Sequence, residues 1–432
     1  MAFRFSLVRI VALLCIASAL PAQEMGLNFA TPTQLARLDS ARTPFSGGTL
    51  PPVVDLSADF PPVGNQGHQS SCVAWAVAYA LKSYQERVED HRVLQDGGGN
   101  ANQSAVFSPA YIYNQINHGR DAGSFFDDAF SLLKQQGAAT LIDAPYDETD
   151  FLSQPSAAAR ADAAPFRIED VRRIPTSDIL TLKAQLNAGY PIVVGAAIDQ
   201  GFQQARAGFI WNRQIGQVLG GHAMVVVGYD DNKNAFHVIN SWSRNWGDNG
   251  YGWIDYAYFP TAVREAYVVR DAANGPGPVV INPVQPAPPA PPPATAIQFA
   301  LNGVAHNVPT PFGPAMQFSG QLSVPAGITG QVQVVIQIYL DAGGGTKGPP
   351  VGSFNPQFAM PTGAAATGTQ AVGIPPGGAA TSWFAVLPYL SLNIPRGGPF
   401  NLIQTNLVAE PILFYNNFGV KSSGLIPFFV RL

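Results

Sequence analysis

A long apolar run predicts a buried helix that begins at Cys72. The stretch "CVAWAVAYALKSYQERV" contains strong helix formers and neither proline nor glycine. Ser70 and Ser71 precede it as candidate helix caps. The run is apolar on nearly all sides through Leu81 and becomes polar afterwards. We therefore expect the first half of this helix to be buried inside a domain.

Two strand-like runs predict a β-hairpin further along the chain. The runs "HAMVVVGYD" and "AFHVINSW" are joined by "DNKN", residues 231–234, which is typical of a turn between paired strands. A hairpin about this turn places His222 opposite residues 240–242. His237 then lies opposite residues 225–227, in the middle of the ladder, where a structural role is expected.

The N-terminal pattern predicts a removable export signal. Arg4 and Arg9 precede an apolar run over residues 10–20, and the small residue Ala22 offers a cleavage site. A run of this length is too short for a permanent membrane anchor. We therefore assign residues 1–22 as a signal peptide and expect a secreted protein, extracellular or periplasmic, without a membrane span.

A short segment, residues 23–49, follows the predicted signal. Thr31 and Gln34 have the spacing of a capping box, and Pro32 stands at the first helical position. One short helix is therefore predicted in this segment.

Proline content marks a domain boundary at residues 273–295. Nine of the 18 residues from 276 to 293 are proline, which favours polyproline II and a semi-rigid spacer that reaches about 50 Å. This linker separates residues 50–272, which mix helix and strand signals and predict an α+β domain, from residues 296–432.

The region after the linker predicts an all-β sandwich. Runs such as "QVQVVIQIYLD", "NLIQTNLVAEPILFY" and "IPFFVRL" read as strands between Gly/Pro turns. Residues 296–432 show no cluster of His, Cys or carboxylates that offers chemistry. Surface or substrate attachment is one hypothesis for this domain, and a stabilising or secretion-related role is the other.

Composition removes several classes of function. The net charge is −4 and only 12 % of the residues are charged, so no basic surface for nucleic acid is expected. The sequence contains no HExxH motif and no His/Cys cluster with metal-ligand spacing. We therefore expect no nucleic-acid partner, no metal and no cofactor.

A lone thiol is the most informative residue of the chain. Cys72 is the only cysteine left once the signal, with Cys15, is removed, so no disulfide is expected. At a helix start, the peptide dipoles and free amide groups favour the thiolate and lower the thiol pKa below its reference of about 8.5. The alternative is a small apolar side chain packed in a core.

A thiolate nucleophile needs an imidazole partner, and the hairpin register selects His222. The carbonyl of Asn240 is placed to accept a ring N–H and to fix the tautomer. Trp242 is placed to shield that hydrogen bond from water. Gln66 lies on the loop before Cys72, and its amide is a candidate oxyanion donor together with the Cys72 backbone N–H.

These residues, in this order, resemble the papain family of cysteine peptidases. The stretch "NQGHQSSCVAW" is similar to the family's Gln-Gly loop and nucleophile helix, "GGHAMVVVGYD" to its histidine strand and "NSWSRNWGDNGYGWI" to its asparagine motif. The stretch "GSFFDDAFSLLKQQGAATLIDAPYD" resembles the glycine-bearing cleft wall and the helix that follows it. The resemblance covers about residues 50–270.

The resemblance implies a two-lobed fold, with a helical lobe and an antiparallel β lobe, and a set of catalytic roles. Cys72 is implied as the nucleophile, and His222 as the general base that later acts as an acid. Asn240 is implied as the residue that orients His222, and Gln66 as the oxyanion donor. Trp242 would border the leaving-group side.

The resemblance also implies where the substrate lies. Gly123, Ser124 and Phe125 would line the cleft wall that receives a polypeptide substrate. The long inhibitory pro-segment of the family's zymogens is missing, because residues 23–49 form a far shorter segment. The predicted helix of this segment either covers the cleft or packs on the domain, and both remain open.

Three positions depart from the family pattern. Gln69 stands where the family has a disulfide-bonded cysteine, Val73 where it has a tryptophan and Ser243 where it has a glycine. These changes indicate a bacterial-type branch without disulfides. Two other functions stay open: a Cys/His amidase or transpeptidase that acts on cell-wall peptides, and a non-catalytic adhesin that binds through residues 296–432.

Overall fold

A computed structural model describes residues 25–45, 49–272, 294–369, 371–375, 377–396 and 402–432. The predicted signal peptide and nearly all of the predicted linker lie outside these residues. Within the described ranges, no helix has both the length and the apolar character that a membrane crossing requires.

The first domain combines helices with one large sheet. The helices are α1 (Pro32–Leu35), α2 (residues 72–90), α3 (Pro109–Ile116), α4 (Phe126–Gln136), α5 (Ala157–Ala163), α6 (Ile179–Asn187), α7 (Gln200–Gln203) and α8 (Phe259–Ala262), with a 3₁₀ turn at Ser57–Asp59. The strands are β1 (Val53–Asp55), β2 (Ile168–Arg173), β3 (Ile192–Asp199), β4 (Ile210–Trp211), β5 (Val218–Asp230), β6 (Ala235–Ile239), β7 (Tyr251–Asp255) and β8 (Val263–Asp271).

The sheet has the order β2-β8-β3-β5-β6-β7-β4, with β1 also paired to β5. Its strand pairs are antiparallel except for β4 with β7. One apolar core joins α2, α3 and α4 to one side of the sheet, and a second joins α6, α7 and α8 to strands β3 and β5. The predicted α+β fold, with a helical lobe and an antiparallel β lobe, is confirmed.

Helix α2 is the central helix of the helical lobe. It consists of Cys72–Ala74, a π-helical section Trp75–Lys82, and Ser83–Asp90. The predicted burial of its first half is confirmed, and burial continues through Glu86. The polar continuation is tolerated because Lys82 Nζ makes ion pairs with Glu86 and with Asp271 at the end of β8.

The start of α2 differs in detail from the prediction. Ser71 is the N-cap residue, but its side chain makes no capping hydrogen bond. Its hydroxyl instead lies 2.8 Å from the hydroxyl of Tyr146. The capping box predicted for α1 is confirmed, with Thr31 and Gln34 bonded reciprocally and Pro32 at the first turn.

The hairpin of β5 and β6 has the predicted turn and a register shift within it. Val225 pairs with Ile239, but His237 pairs with Gly228 rather than with residues 225–227. The difference arises because the pairing shifts between Val226 and Gly228, as it does at a β-bulge. Beyond the shift the predicted register holds, which brings His222 to Asn240.

The residues after the linker form a C-terminal β domain, residues 294–432. Its strands are β9 (Gln298–Thr310), β10 (Gly313–Val324), β11 (Gly330–Asp341), β12 (Lys347–Pro350), β13 (Gly352–Ser353), β14 (Ala366–Gly368), β15 (Val372–Ile374), β16 (Ala379–Pro388), β17 (Leu392–Asn393), β18 (Gln404–Tyr415), β19 (Phe418–Ser422) and β20 (Ile426–Arg431), with 3₁₀ turns at Ala294–Ala296, Pro356–Phe358 and Tyr389–Ser391. A three-stranded sheet β16-β10-β9 and a larger sheet around β11 and β18 enclose one apolar core.

Ala272, just before the predicted linker, and Ala294, near its end, both form hydrogen bonds with residues at the start of β2. The N–H of Ala272 donates to the carbonyl of Arg167 at 3.2 Å, and the N–H of Ala294 donates to the carboxylate of Glu169 at 3.0 Å. The two domains therefore pack together, in contrast to the separation that a spacer of about 50 Å suggests.

Candidate active site

Cys72 lies at the first position of α2 and is fully buried. Burial raises the pKa of its thiol to about 11, although the backbone N–H groups of Ala223 and Gly26 act in the opposite direction. The expected lowering of the pKa is therefore not found in this form of the protein. The physical reason is that the sulfur is removed from water, which penalises the thiolate more than the helix start favours it.

The backbone N–H of Ala223 interacts with the Cys72 sulfur. The sulfur therefore lies beside the residue that follows His222. The ring Nε2 of His222 lies 2.7 Å from Oδ1 of Asn240, which also accepts the N–H of Ser241 at 2.7 Å. An amide oxygen only accepts, so the ring carries its proton on Nε2 and leaves Nδ1 as the base. Among the described residues, Nδ1 has no hydrogen-bond partner.

Burial also determines the protonation state of the His222 imidazole. It lowers the pKa of His222 to about 4, against the smaller opposing effect of the hydrogen bond to Asn240. The thiol and the imidazole are therefore both neutral near pH 7 in this covered site.

Trp242 covers the imidazole–amide pair. Its ring lies on the ring of His222, with centroids 4.3 Å apart and planes at 31°. Trp242 is itself buried and contacts Trp246, whose indole N–H donates to the carbonyl of Phe202 at 2.9 Å. The predicted shield is therefore next to the imidazole and excludes water from the hydrogen bond between His222 and Asn240.

Gln66 is fixed on the loop before α2. Its Oε1 accepts the hydroxyl of Ser241 at 2.6 Å, and its Nε2 donates to the carbonyl of Gln69 at 3.0 Å. The Tyr146 hydroxyl donates to the Gln66 carbonyl at 2.8 Å. These bonds orient the side-chain amide with its oxygen toward the asparagine loop and its nitrogen toward the start of α2.

The side chain of Gln69 stabilises the same loop. Its Nε2 donates to the carbonyls of Asp147 and Glu148 at 3.3 and 3.4 Å. Gln69 stands where the resembled family has a disulfide-bonded cysteine, and in this chain its hydrogen bonds connect the nucleophile loop to residues 147–148.

The cleft beside Cys72 is occupied by the N-terminal segment of the same chain. The N–H of Gly26 donates to Sγ of Cys72 at 3.3 Å. The carbonyl of Gly26 accepts the N–H of Ser124 at 2.8 Å, and the carbonyl of Ser124 accepts the N–H of Asn28 at 3.0 Å. The N–H of Leu27 donates to the carbonyl of Gly221 at 3.0 Å. Residues 25–29, rather than the helix α1, therefore cover the cleft.

Two glycines allow this close approach. A Cβ added at Gly26 would lie 1.9 Å from the carbonyl oxygen of Ser70. A Cβ added at Gly123 would lie 2.4 Å from the carbonyl oxygen of Gly26, and Gly123 has a φ of +81°. The predicted wall residues Gly123 and Ser124 thus face the segment directly, while Phe125 is half-buried at the start of α4.

Leu27 occupies an apolar pocket that the sequence did not predict. A Cβ added at Gly195, on β3, would lie 2.5 Å from Cδ2 of Leu27 and 3.2 Å from the ring of Phe126. Behind them, the carboxylate of Glu265 accepts the N–H of Ala30 and the hydroxyl of Tyr267. Burial raises the pKa of Glu265, against these hydrogen bonds.

Sequence patterns gave little signal for this pocket. Phe126, Gly195 and Glu265 come from α4, β3 and β8, which are far apart in sequence and become neighbours only in the folded domain. A positional signal existed only for Phe126, which directly follows the predicted wall residues.

Comparison with known proteins shows similarity to cysteine proteases over the first domain. The sequence model of the papain family of cysteine proteases matches residues 50–259. An uncharacterised peptidase C1-like protein of Acanthamoeba polyphaga mimivirus is 25 % identical over 205 residues, which cover 45 % of this chain and 64 % of that protein. Cathepsin K of Mus musculus is 29 % identical over 221 residues, which cover 49 % and 62 %. The chain thus spans less than two thirds of either relative.

Among solved structures, xylellain, a cysteine protease from Xylella fastidiosa, is similar. It is 26 % identical with a TM-score of 0.48, and the match covers 58 % of this chain and 96 % of that chain. The matched range of the family model contains Gln66, Cys72, His222 and Asn240. Residues 50–259 of this chain belong to the papain family of cysteine proteases.

Proposed function

We propose that the chain is a secreted cysteine peptidase that hydrolyses polypeptides through Cys72, His222 and Asn240, with Gln66 as an oxyanion donor. The observation that carries this proposal is the buried bond of 2.7 Å between His222 and Asn240 beside a thiol at a helix start. The arrangement supports the proposal because acyl transfer through sulfur requires a nucleophile, a base and a group that orients the base.

The reaction begins when the cleft is open and the thiol proton moves to Nδ1 of His222. The Cys72 sulfur then attacks the carbonyl carbon of the scissile peptide bond, and the oxyanion accepts hydrogen bonds from the Gln66 amide and the Cys72 N–H. His222 gives its proton to the leaving amine as the C–N bond breaks. Water, deprotonated by His222, attacks the thioester and releases the acid and the thiol.

In the covered form the protein is proposed to be latent. Gly26 presents its N–H to the sulfur, and its carbonyl is turned toward the N–H of Ser124. A thiolate attacks a carbonyl carbon, so the segment occupies the cleft without offering a bond for attack. Its presence also keeps the thiol pKa high by burial.

Because the covered form is latent, the experiment uses Gly26→Ala, whose added Cβ cannot fit beside Ser70, and compares it with Gly26→Ala/Cys72→Ala. Both variants are given a mixture of unmodified polypeptides and cell-wall peptide fragments, with cleavage read by mass spectrometry. Cuts in polypeptides that depend on Cys72 support the proposal. Turnover of cell-wall fragments alone would favour the amidase or transpeptidase. Binding through residues 296–432 without any Cys72-dependent cleavage would favour the adhesin.

A further inference from the structure

The N-terminal segment continues from the cleft to a position between the two domains. We define residues 38–45 as the anchor segment. Its Ala41 N–H donates to the carbonyl of Arg173 at 2.8 Å, and the Arg173 N–H donates to the carbonyl of Asp39 at 3.0 Å. These bonds pair the anchor segment with the end of the edge strand β2, in a parallel bridge between Ser40 and Arg173. The carbonyl of Arg42 then accepts the side chain of Gln185 at 2.8 Å.

Arg42 directs its side chain to the C-terminal β domain. Its guanidinium donates to Oε1 of Glu410 at 2.8 Å, and Lys347 donates to Oε2 of the same carboxylate at 2.7 Å. The Glu410 side chain is only 6 % exposed. Burial favours the neutral acid, but the bond to Lys347 and the charge of Arg42 outweigh it and lower the pKa of Glu410. The buried carboxylate is therefore charged and depends on both cations.

Phe45 makes a second, apolar contact with the same domain. It packs against a cluster that includes Val335, Ile412 and Phe414. A Cβ added at Gly368 would lie 3.2 Å from the Phe45 ring, so the glycine leaves room for the aromatic side chain. Arg42 and Phe45 thus contact one surface, formed by β11, β14 and β18.

This surface is fixed relative to the cleft. Phe418, at the start of β19, is buried against the first domain, where its ring lies 5.4 Å from the ring of Tyr190. Arg172 of β2 donates to the carbonyls of Gly419 and Val420 and lies over the Phe418 ring. The β domain therefore contacts both the first domain and the segment that leaves its cleft.

We propose that the C-terminal β domain is the docking partner of the anchor segment and holds residues 25–29 over Cys72. This inference rests on the latency in the proposed function and gives the β domain a role in it. The docked anchor segment keeps residues 25–29 near the cleft. When these residues leave the cleft, they therefore rebind quickly. Loss of the anchor contacts shifts the equilibrium toward the open cleft.

The test measures how fast iodoacetamide alkylates Cys72 in the full chain, because a covered thiol reacts only after the segment leaves. The anchor variants are Arg42→Ala, Glu410→Gln and Phe45→Ala. Gly26→Ala is the reference for an open cleft, since its added Cβ cannot fit beside Ser70. Phe384→Ala is the matched control, because Phe384 is 64 % exposed on β16 in the other sheet.

Each anchor variant is expected to raise the alkylation rate by about five- to ten-fold, the effect of one lost charge-assisted or apolar contact. The double variant Arg42→Ala/Glu410→Gln should be alkylated at the same rate as either single variant, because the two substitutions remove the same contact. Thermal melts identify a variant that has unfolded, and Glu410→Gln keeps the side-chain volume.

Anchor variants that react as slowly as Phe384→Ala, while Gly26→Ala reacts fast, would overturn the inference and leave the proposed function standing. An unchanged rate for Gly26→Ala would overturn the covered cleft, and the inference with it. Neither outcome depends on whether the enzyme cleaves a given peptide.

Discussion

His222 and Asn240 face each other across the β5–β6 hairpin, with Nε2 and Oδ1 2.7 Å apart and Trp242 over the imidazole. The bond fixes the ring so that Nδ1 is the free base. Replacing Asn240 with Ala is expected to lower kcat about 100-fold, because the ring loses its tautomer and its orientation. Steady-state kinetics of Asn240→Ala measure this, with the exposed Asn245→Ala as the control. Equal losses in both variants would contradict it.

Gln66 provides a separate test of the oxyanion site. The Gln66→Ala variant is expected to lower kcat by about 100- to 1,000-fold with little change in KM, because the donor acts on charge that develops only in the transition state. The control in the same loop is Gln69→Ala, which removes two bonds to residues 147–148 and should lower stability by about 1 kcal/mol while kcat is retained. A change confined to KM in Gln66→Ala would argue against the oxyanion role.

The ionisation of Cys72 reports the covering segment directly. With a pKa raised to about 11, the thiol should show no thiolate absorbance near 240 nm below about pH 9, compared with Cys72→Ser. The signal appears only as the pH rises toward 11. In Gly26→Ala, where the cleft is open, the thiolate should be present at pH 7, because water and the helix start then favour it. Thiolate at pH 7 in the unchanged protein would contradict burial as the cause.

The positions of the candidate site residues could be predicted from the sequence, but their electrostatic state could not. The helix at Cys72, the hairpin partner of His222 and the place of Gln66 follow from local patterns of apolar residues and turns. The raised pKa of Cys72 could not be predicted in this way, because it depends on residues 25–29, which pair with strands distant in sequence.

Long-range packing explains the other differences. The polar end of α2 is buried because Asp271, about 190 residues away, reaches Lys82. The contact of Phe418 with Tyr190 brings the domains together, and no local pattern carries that information. The one-residue shift of His237 comes from a bulge, which alternation of apolar residues does not record.

The buried cluster around Lys82 gives a prediction about stability. Lys82 is fully buried and pairs with Glu86 and Asp271. Lys82→Met is expected to lower the free energy of unfolding by about 3–5 kcal/mol, because it leaves buried carboxylates without their cation. Urea unfolding measures this against Lys134→Met, which changes an exposed lysine on α4. Equal urea midpoints for Lys82→Met and Lys134→Met would show that the ion pairs of Lys82 do not contribute to the free energy of unfolding.

The most direct measurement compares Gly26→Ala with the double variant Gly26→Ala/Cys72→Ala on a diverse peptide mixture, with the products read by mass spectrometry. We expect many cuts by the first protein, fewer by the unchanged chain, and none by the double variant. Cuts that persist without Cys72, or an open cleft that cleaves nothing, would contradict the assignment of a cysteine peptidase held latent by its own N-terminal segment.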